Sequence, residues 1–415
     1  MVNSNKPNHL IPFIGEFKFP YGEAYSTRAM NLGKLLNASG HVPNFHGYSP
    51  DASVPTNCTQ FVHGLRFQNQ PQKNLLTYSP IKRVLNIIKS GYLAKSFMLT
   101  HQPEPRIVLI NSTFGHYLHP FVSMAKKQKF KLLVDVVEWF DYSNLNYGGF
   151  GPLALDVHWA MTRLIPKADG VIAISSFLEN YYRMRGVKTL RIPQLVDLEE
   201  DKWNFVRPEP FDPAFLNLVY AGSPARKDLI GNAVIGLKRL VRGGAKVKLH
   251  LFGPTPEELR VCLGRDQALV EELQGKALHF HGLVSQEAIP ALLAKADFSV
   301  LLRPDARYAH AGFPTKLTES FAAGVPAIAN LTGDIGLYLR DGENGFVLPD
   351  WSPEAFEERL KPLLHLSPDR KQSLRESARM EAFRCFDFRN YLNPLTDFII
   401  EVEAGNQGKT KQETL

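Results

Sequence analysis

The chain has 415 residues, with 48 Lys and Arg against 41 Asp and Glu and a formal net charge of +7. With 44% apolar and 21% charged residues, it has the composition of an ordinary globular protein and excludes a disordered or fibrous one. Its length exceeds one ordinary core, so two domains are expected. Cys58, Cys262 and Cys385 stand far apart, which predicts a reducing compartment with neither a disulfide framework nor a zinc site. The start, Met1-Val2-Asn3-Ser4-Asn5-Lys6, carries no signal-peptide pattern. No apolar run approaches the ~20 residues that cross a bilayer. A cytoplasmic protein, or one on the cytoplasmic face of a membrane, is expected.

Short apolar runs alternate with longer helical patterns, which predicts parallel sheets with crossover helices. In the first half the expected strands are His9–Gly15, His41–Tyr48, Ile107–Asn111, Lys131–Val136, Gly170–Ile174 and Thr189–Ile192. Helices are expected near Ser26–Asn37, Pro80–Leu99, Leu118–Lys127, Leu153–Pro166 and Ser176–Arg185. The charge is uneven along this half. Between Ala52 and Val134 the one acid is Glu104, against eleven basic residues. Within that stretch Ile81, Val84, Leu85, Ile88 and Tyr92 fall at helical spacing, with Lys82, Lys89 and Lys95 around them. Two readings stay open: a basic amphipathic helix lying on anionic lipid, or a core-facing helix with a solvated basic side. Nucleic acid is not expected, because the stretch lacks interleaved aromatic motifs.

A proline-rich, acidic segment, Val196–Phe215, reads as the hinge. Beyond it the expected strands are Leu216–Gly222, Lys246–Gly253, Ala277–Gly282, Phe298–Leu302, Val325–Leu331 and Gly345–Leu348. The expected domains are therefore 1–205 and 206–386. The tail from Phe386 to Ala404 has helical spacing.

One stretch of the second half carries chemistry: Gly312-Phe313-Pro314-Thr315-Lys316-Leu317-Thr318-Glu319, followed at once by an apolar strand. A Gly-Phe-Pro turn opens a short helix. Amides at a helix start attract phosphate oxygens, and Lys316 adds a full charge. Glu319, one turn deeper, can accept hydrogen bonds from sugar hydroxyls. The plainer alternative is a capped helix with a surface lysine. Three further turns fall at strand ends, where ligands of doubly wound sheets bind. They are Phe19-Pro20-Tyr21-Gly22, Val137-Glu138-Trp139-Phe140-Asp141, and Ala221-Gly222-Ser223-Pro224-Ala225-Arg226-Lys227-Asp228. Arg303 and Arg307 follow strand Phe298–Leu302 and can add positive charge.

The stretch Gly312–Glu319, with Asp341-Gly342-Glu343-Asn344-Gly345-Phe346-Val347 downstream, resembles the nucleotide-binding signature of retaining glycosyltransferases of family 4. The resemblance implies the α/β GT-B fold: two facing Rossmann-like, doubly wound domains, with a C-terminal helix (387–415) crossing back to the first. It implies a retaining transfer of a sugar from a nucleoside diphosphate sugar to an acceptor hydroxyl, in polysaccharide or glycolipid assembly. By that resemblance Gly312, Phe313, Pro314, Thr315 and Lys316 bind the donor and Glu319 holds the ribose. Gly22 matches the family's N-terminal glycine loop and Gly222 its counterpart in the second domain. Arg226 and Lys227 match the diphosphate grip, with Arg303 and Arg307 as supplementary charge. Glu138 and Asp141 are the candidates beside the reacting sugar. The family usually has two glutamates, the first eight positions before the second, and here that first position is Ala311.

No two aspartates stand two positions apart, so the Asp-x-Asp metal clamp of other glycosyltransferases is absent and no cofactor is expected. His116 with His119, and His279 with His281, lack a third ligand at motif spacing. A glycan or lipid-linked acceptor is the expected partner, with an anionic membrane surface beside it. The rival readings are a non-catalytic sugar-nucleotide binder and a GT-B epimerase or inverting transferase.

Overall fold

The computed structural model describes residues 10–22, 24–51, 53–71, 79–102, 104–128, 130–142, 149, 151–224 and 228–405. The chain divides into two compact units, Met1–Leu195 with Phe388–Leu415 and Val196–Asp387. The division falls ahead of residue 205 because the segment after Leu195 already bonds within the second unit. The Val196 amide donates to Phe386 O at 2.9 Å, and Arg379 Nη2 donates to Trp203 O at 3.3 Å.

The first unit is built on strands β1 (Leu10–Lys18), β2 (Val42–Tyr48), β3 (Gln60–Val62), β4 (Leu65–Phe67), β5 (Ile107–Asn111), β6 (Lys131–Val136), β7 (Gly170–Ala173) and β8 (Thr189–Arg191). They form one sheet in the order β3-β4-β2-β1-β5-β6-β7-β8, parallel except for the β3–β4 pair. Strand β5 is buried at every position, as a parallel strand covered on both faces must be. The β3–β4 hairpin was not expected. Its strands have three residues each, too short to show alternation, and its turn places His63 and Gly64 at φ 46° and 74°. Positive φ at both turn residues matches the twist of a two-residue hairpin.

Helix Ala24–Ala38 packs Leu32, Leu35 and Leu36 on an aromatic cluster of Phe13, Phe17, Phe19 and Phe45. Gly33 is required there, since a Cβ would lie 2.3 Å from the Phe45 ring. The final helix, Leu392–Ala404, completes this core with Leu395, Phe398, Ile399 and Val402. The expected helix Leu153–Pro166 is broken into an α-helix, Pro152–Trp159, a π-turn, Ala160–Leu164, and a 3₁₀ turn, Ile165–Lys167. Pro166 has no amide to donate to the preceding turn, so the regular ladder cannot continue through it.

The second unit holds β9 (Leu216–Ala221), β10 (Val247–Phe252), β11 (Leu278–Gly282), β12 (Phe298–Leu301), β13 (Ala327–Asn330) and β14 (Gly345–Leu348). The sheet is wholly parallel, ordered β11-β10-β9-β12-β13-β14. The strand order reverses between β9 and β12, and a crevice at such a reversal is where ligands bind.

In the first unit the end of β6 is held by a buried ion pair. Arg28 reaches Asp135 through Nε (3.0 and 3.1 Å) and Nη2 (2.6 Å), and Asn111 Nδ2 donates to the same carboxylate at 2.7 Å. Arg28 Nη1 also donates to Ile192 O and Pro193 O, which ties β6 to the chain leaving the unit. Removing one partner leaves the other charge buried and unpaired. Asp135→Ala should therefore destabilise the first unit by about 3–5 kcal/mol in urea unfolding. A loss below about 1 kcal/mol would contradict this role.

Candidate functional site

In the second unit, β9 ends at Ala221 and the chain turns at Gly222, which has φ +128°. That conformation is open to glycine. A Cβ there would lie 2.7 Å from Lys316 Cε, so the glycine also gives the lysine its path across the strand end. Beyond the turn lies Asp228, nearly fully buried. Lys316 Nζ and Tyr220 Oη both donate to its Oδ2, at 2.7 and 3.0 Å, and Arg303 Nε stands 4.0 Å from Oδ1. Burial opposes the charge of Asp228, but Lys316, then Arg303 and the Tyr220 hydroxyl, outweigh it and hold the carboxyl below its ordinary range. The ammonium of Lys316 also lies 5.0 Å from the Tyr220 ring centre.

Lys316 stands in the first turn of helix Thr315–Ala322, which Pro314 opens in an extended conformation. The turn before it is anchored by Phe313, whose ring meets Tyr338 edge-on at 5.4 Å and Phe386 at 5.8 Å. Gly312 ends the short helix Arg307–Ala311. The loop after β12 is clamped from β13. Asn330 Oδ1 accepts from the Arg303 amide at 2.9 Å, and Asn330 Nδ2 donates to Arg303 O at 2.8 Å. Glu319 lies one turn beyond Lys316, and the two line one narrow cavity with Tyr220. Desolvation pushes the Glu319 carboxyl upward, against the opposing pull of Lys316 and Lys202.

Of the cations expected here, the structure brings Lys316 and Arg303 together on Asp228. Arg307 is exposed at the start of its own helix and does not join them. Arg226 and Lys227 lie outside the described residues. Ala311, at the position of the usual first glutamate, is fully buried. Asp228 and Tyr220 were not singled out from the sequence. Their signal was an acid closing a basic loop and an aromatic at the strand end, neither distinctive by itself.

The first unit has its own site at the ends of β1, β5 and β6. A cavity of about 170 Å³ is lined by Glu16, Tyr25, Ser112, Phe114, Glu138 and Phe140, among others. Phe114 and Phe140 stack at 5.5 Å, which gives the cavity a flat aromatic wall. Glu138 is buried and accepts from Tyr25 Oη. Asp141 is half-buried and is not among the lining residues. Gly22, at φ +121°, is exposed on the loop after β1. The helix after it starts at Ala24, and Ser26, in its first turn, donates back to Lys18 O at 2.6 Å.

Glu16 and His116 were missed as a pair. Asp156 caps helix Gly115–Gln128 through the amides of Gly115 and His116, and accepts from or pairs with His116 Nδ1 at 2.8 Å. Desolvation lowers the affinity of that imidazole for a proton, but the bond to Asp156 and the charges of Asp156 and Glu16 reverse the balance. Ser112 Oγ donates to Glu16 Oε2 at 3.1 Å. Among the described residues no group of three or more His, Cys, Asp or Glu could hold a metal ion. His279 and His281 instead join His250 in a ring stack with Phe211 and Phe252.

Desolvation pushes the Glu16 carboxyl up to about 7, and because the side chain is exposed to solvent the stability tied to this proton is screened and small. The folded state therefore holds this proton more tightly than the unfolded chain does. The associated stability is present at acid pH and is lost as pH rises through about 7. Thermal denaturation should show Glu16→Gln gaining on the parent at about pH 8 and differing little at about pH 5. An equal difference at both would contradict the assignment.

Residues 234–380 match the family model described as glycosyl transferases group 1. Comparison with curated proteins gives no match. Among solved structures the chain is similar to sucrose-phosphate synthase from Thermosynechococcus elongatus, at 18% identity and TM-score 0.70, over 95% of this chain and 99% of that one. It is similar to HepE of Anabaena in complex with UDP and glucose, at 14% identity and TM-score 0.65, over 94% and 99%. It is also similar to the lipopolysaccharide outer core galactosyltransferase WaaB, at 16% identity and TM-score 0.60, over 94% and 99%. At such identities the likeness shows the fold. The second unit thus carries the signature of glycosyl transferases group 1, and the chain as a whole has the GT-B glycosyltransferase fold.

Proposed function

We propose that this protein is a metal-independent, retaining glycosyltransferase that moves a hexosyl group from a nucleoside diphosphate sugar to a glycan or lipid-linked acceptor. It would act on the cytoplasmic side of a membrane, in polysaccharide or glycolipid assembly. One observation carries the donor reading: Lys316 is held over the turn at Gly222, at the start of a helix, with Arg303 beside it. Similar proteins were solved with UDP and glucose and with UDP-2-fluoro glucose, which supports a nucleotide sugar as donor.

Breaking the anomeric C–O bond leaves negative charge on the departing diphosphate. An ammonium has three donors, and Asp228 takes one of those of Lys316. The others, with the amides of the first helical turn, would receive the phosphate oxygens as their charge grows. These fixed cations supply what a divalent metal supplies in other transferases. Glu319 would accept from the ribose hydroxyls. The cavity of the first unit, with its carboxylates and stacked phenyl rings, suits a sugar ring of the acceptor. The acceptor hydroxyl would attack from the face the diphosphate leaves, giving its proton to the departing phosphate, so that configuration is kept. The burial of Ala311 favours a second reading, a protein that binds the sugar nucleotide without transferring it.

Lys316→Ala takes the nearest cation from the buried Asp228 and risks the fold. Lys316→Met combined with Asp228→Asn removes both charges together. Either this double variant or Glu319→Ala should lower transfer by about 10²–10³-fold with circular dichroism unchanged. Transfer should also persist in excess EDTA and give a product of the donor's anomeric configuration by NMR. Near-normal turnover in the folded variants would place the donor elsewhere, and nucleotide binding without transfer would favour the non-catalytic reading.

A further inference from the structure

The helix Pro80–His101 presents its apolar stripe outward. Its packing face is Gly91, Ala94 and Met98. At Gly91 the backbone comes so close to the next helix that a Cβ would lie 2.4 Å from Tyr117 O. Val84, Leu85, Ile88 and Tyr92, on a different side, are 55%, 47%, 51% and 47% exposed. The core-facing reading of these residues is therefore overturned. The apolar surface continues onto two neighbouring helices. Tyr92 Oη lies 3.4 Å from His119 Nδ1, the His119 ring lies 5.5 Å from that of Trp159, and Leu155 is exposed one turn before Trp159.

The charge around this surface has one sign. Lys82, Lys89 and Lys95 lie on the first helix, which has no acidic residue, and Lys126 and Lys127 are exposed at the end of helix Gly115–Gln128. The one acid on the three helices is Asp156, which is spent on His116. A second copy of the chain would set lysines against lysines. An anionic lipid surface would accept both the apolar side chains and the ammonium groups, with Tyr92 and Trp159 suited by ring and polar tip to the interfacial zone.

We infer that the face formed by Val84, Leu85, Ile88, Tyr92, Leu155 and Trp159 docks the first unit on an anionic membrane surface. The inference deepens the proposed reading of a membrane-presented acceptor and gives that reading a surface. The shallow apolar ridge enters the headgroup boundary, and the flanking lysines stay at phosphate level.

The test is co-sedimentation at low salt with vesicles of phosphatidylcholine, with and without phosphatidylglycerol. Binding should appear with phosphatidylglycerol and weaken as salt is added. Replacing Lys82, Lys89 and Lys95 together by Gln should lower the partition coefficient by about a hundredfold, at about 1 kcal/mol per charge and tenfold per 1.4 kcal/mol. Ile88→Glu should lower it at least about tenfold, since it both removes apolar burial and adds a repelled charge. Donor turnover in solution should be unchanged in these variants, because none of the four residues belongs to the donor site. No binding to anionic vesicles, equal binding to neutral ones, or binding indifferent to the variants would overturn the inference. So would a solution dimer, seen by light scattering, that Ile88→Glu dissolves. Each of these results leaves the donor chemistry, measured on soluble substrates, standing or falling separately.

Discussion

A carboxylate taken out of water must find cations or lose its charge. In the second unit Asp228 imposes that requirement just where the strand order reverses. Lys316 crosses Gly222 to meet it, Arg303 is drawn in from the end of β12, and Tyr220 gives its hydroxyl. The helix start and two strand ends are thereby fixed against one another through a single buried oxygen pair. A lysine at an open helix start would be mobile and hydrated. Held by Asp228, it is oriented before any ligand arrives, and stabilisation of new negative charge then needs little rearrangement.

The first unit solves the same problem differently. Among the described residues Asp135, at the end of β6, is satisfied by Arg28 and Asn111, with a side of the guanidinium turned to carbonyls at 192 and 193. Asn31 adds a bond to Leu195 O at 2.9 Å. This acid is structural: it anchors the chain at the exit from its unit and takes no part in open charge. Glu16 and Glu138, which line the nearby cavity together with Asp135, accept from hydroxyls, those of Ser112 and Tyr25. Such groups can trade their partners for the hydroxyls of a sugar.

Much of the fold was legible because parallel strands buried on both faces are written as short, continuous apolar runs. Ile107–Asn111, Lys131–Val136 and Gly345–Leu348 fall where those runs predict. The hairpin at Gln60–Phe67 was not legible, because three-residue strands carry no periodicity and its turn is marked only by His63-Gly64. The break near Pro166 was foreshadowed by the proline, although the apolar spacing runs through it. The place of Lys316 and Glu319 on a short helix opened by Gly-Phe-Pro was readable in the sequence. Arg307 was not separable from Arg303, since only the clamp from Asn330 distinguishes a buried arginine from an exposed one four residues on. Asp228 was hidden because a buried acid is defined by what surrounds it, and its partners come from positions 220, 303 and 316.

The same limit explains the basic helix of the first unit. Helical spacing of Val84, Leu85, Ile88 and Tyr92 reads identically whether the stripe faces the core or water. The deciding residue is Gly91, whose missing side chain lets a different face close on the neighbouring helix. The donor chemistry proposed for this protein depends on what Lys316 does beyond its bond to Asp228. The most direct measurement is a crystal structure with a nucleoside diphosphate bound. It should show the pyrophosphate at the start of helix Thr315–Ala322, within hydrogen-bond distance of Lys316 Nζ, with the ribose on Glu319. A diphosphate bound elsewhere, with Lys316 still committed to Asp228 alone, would contradict it.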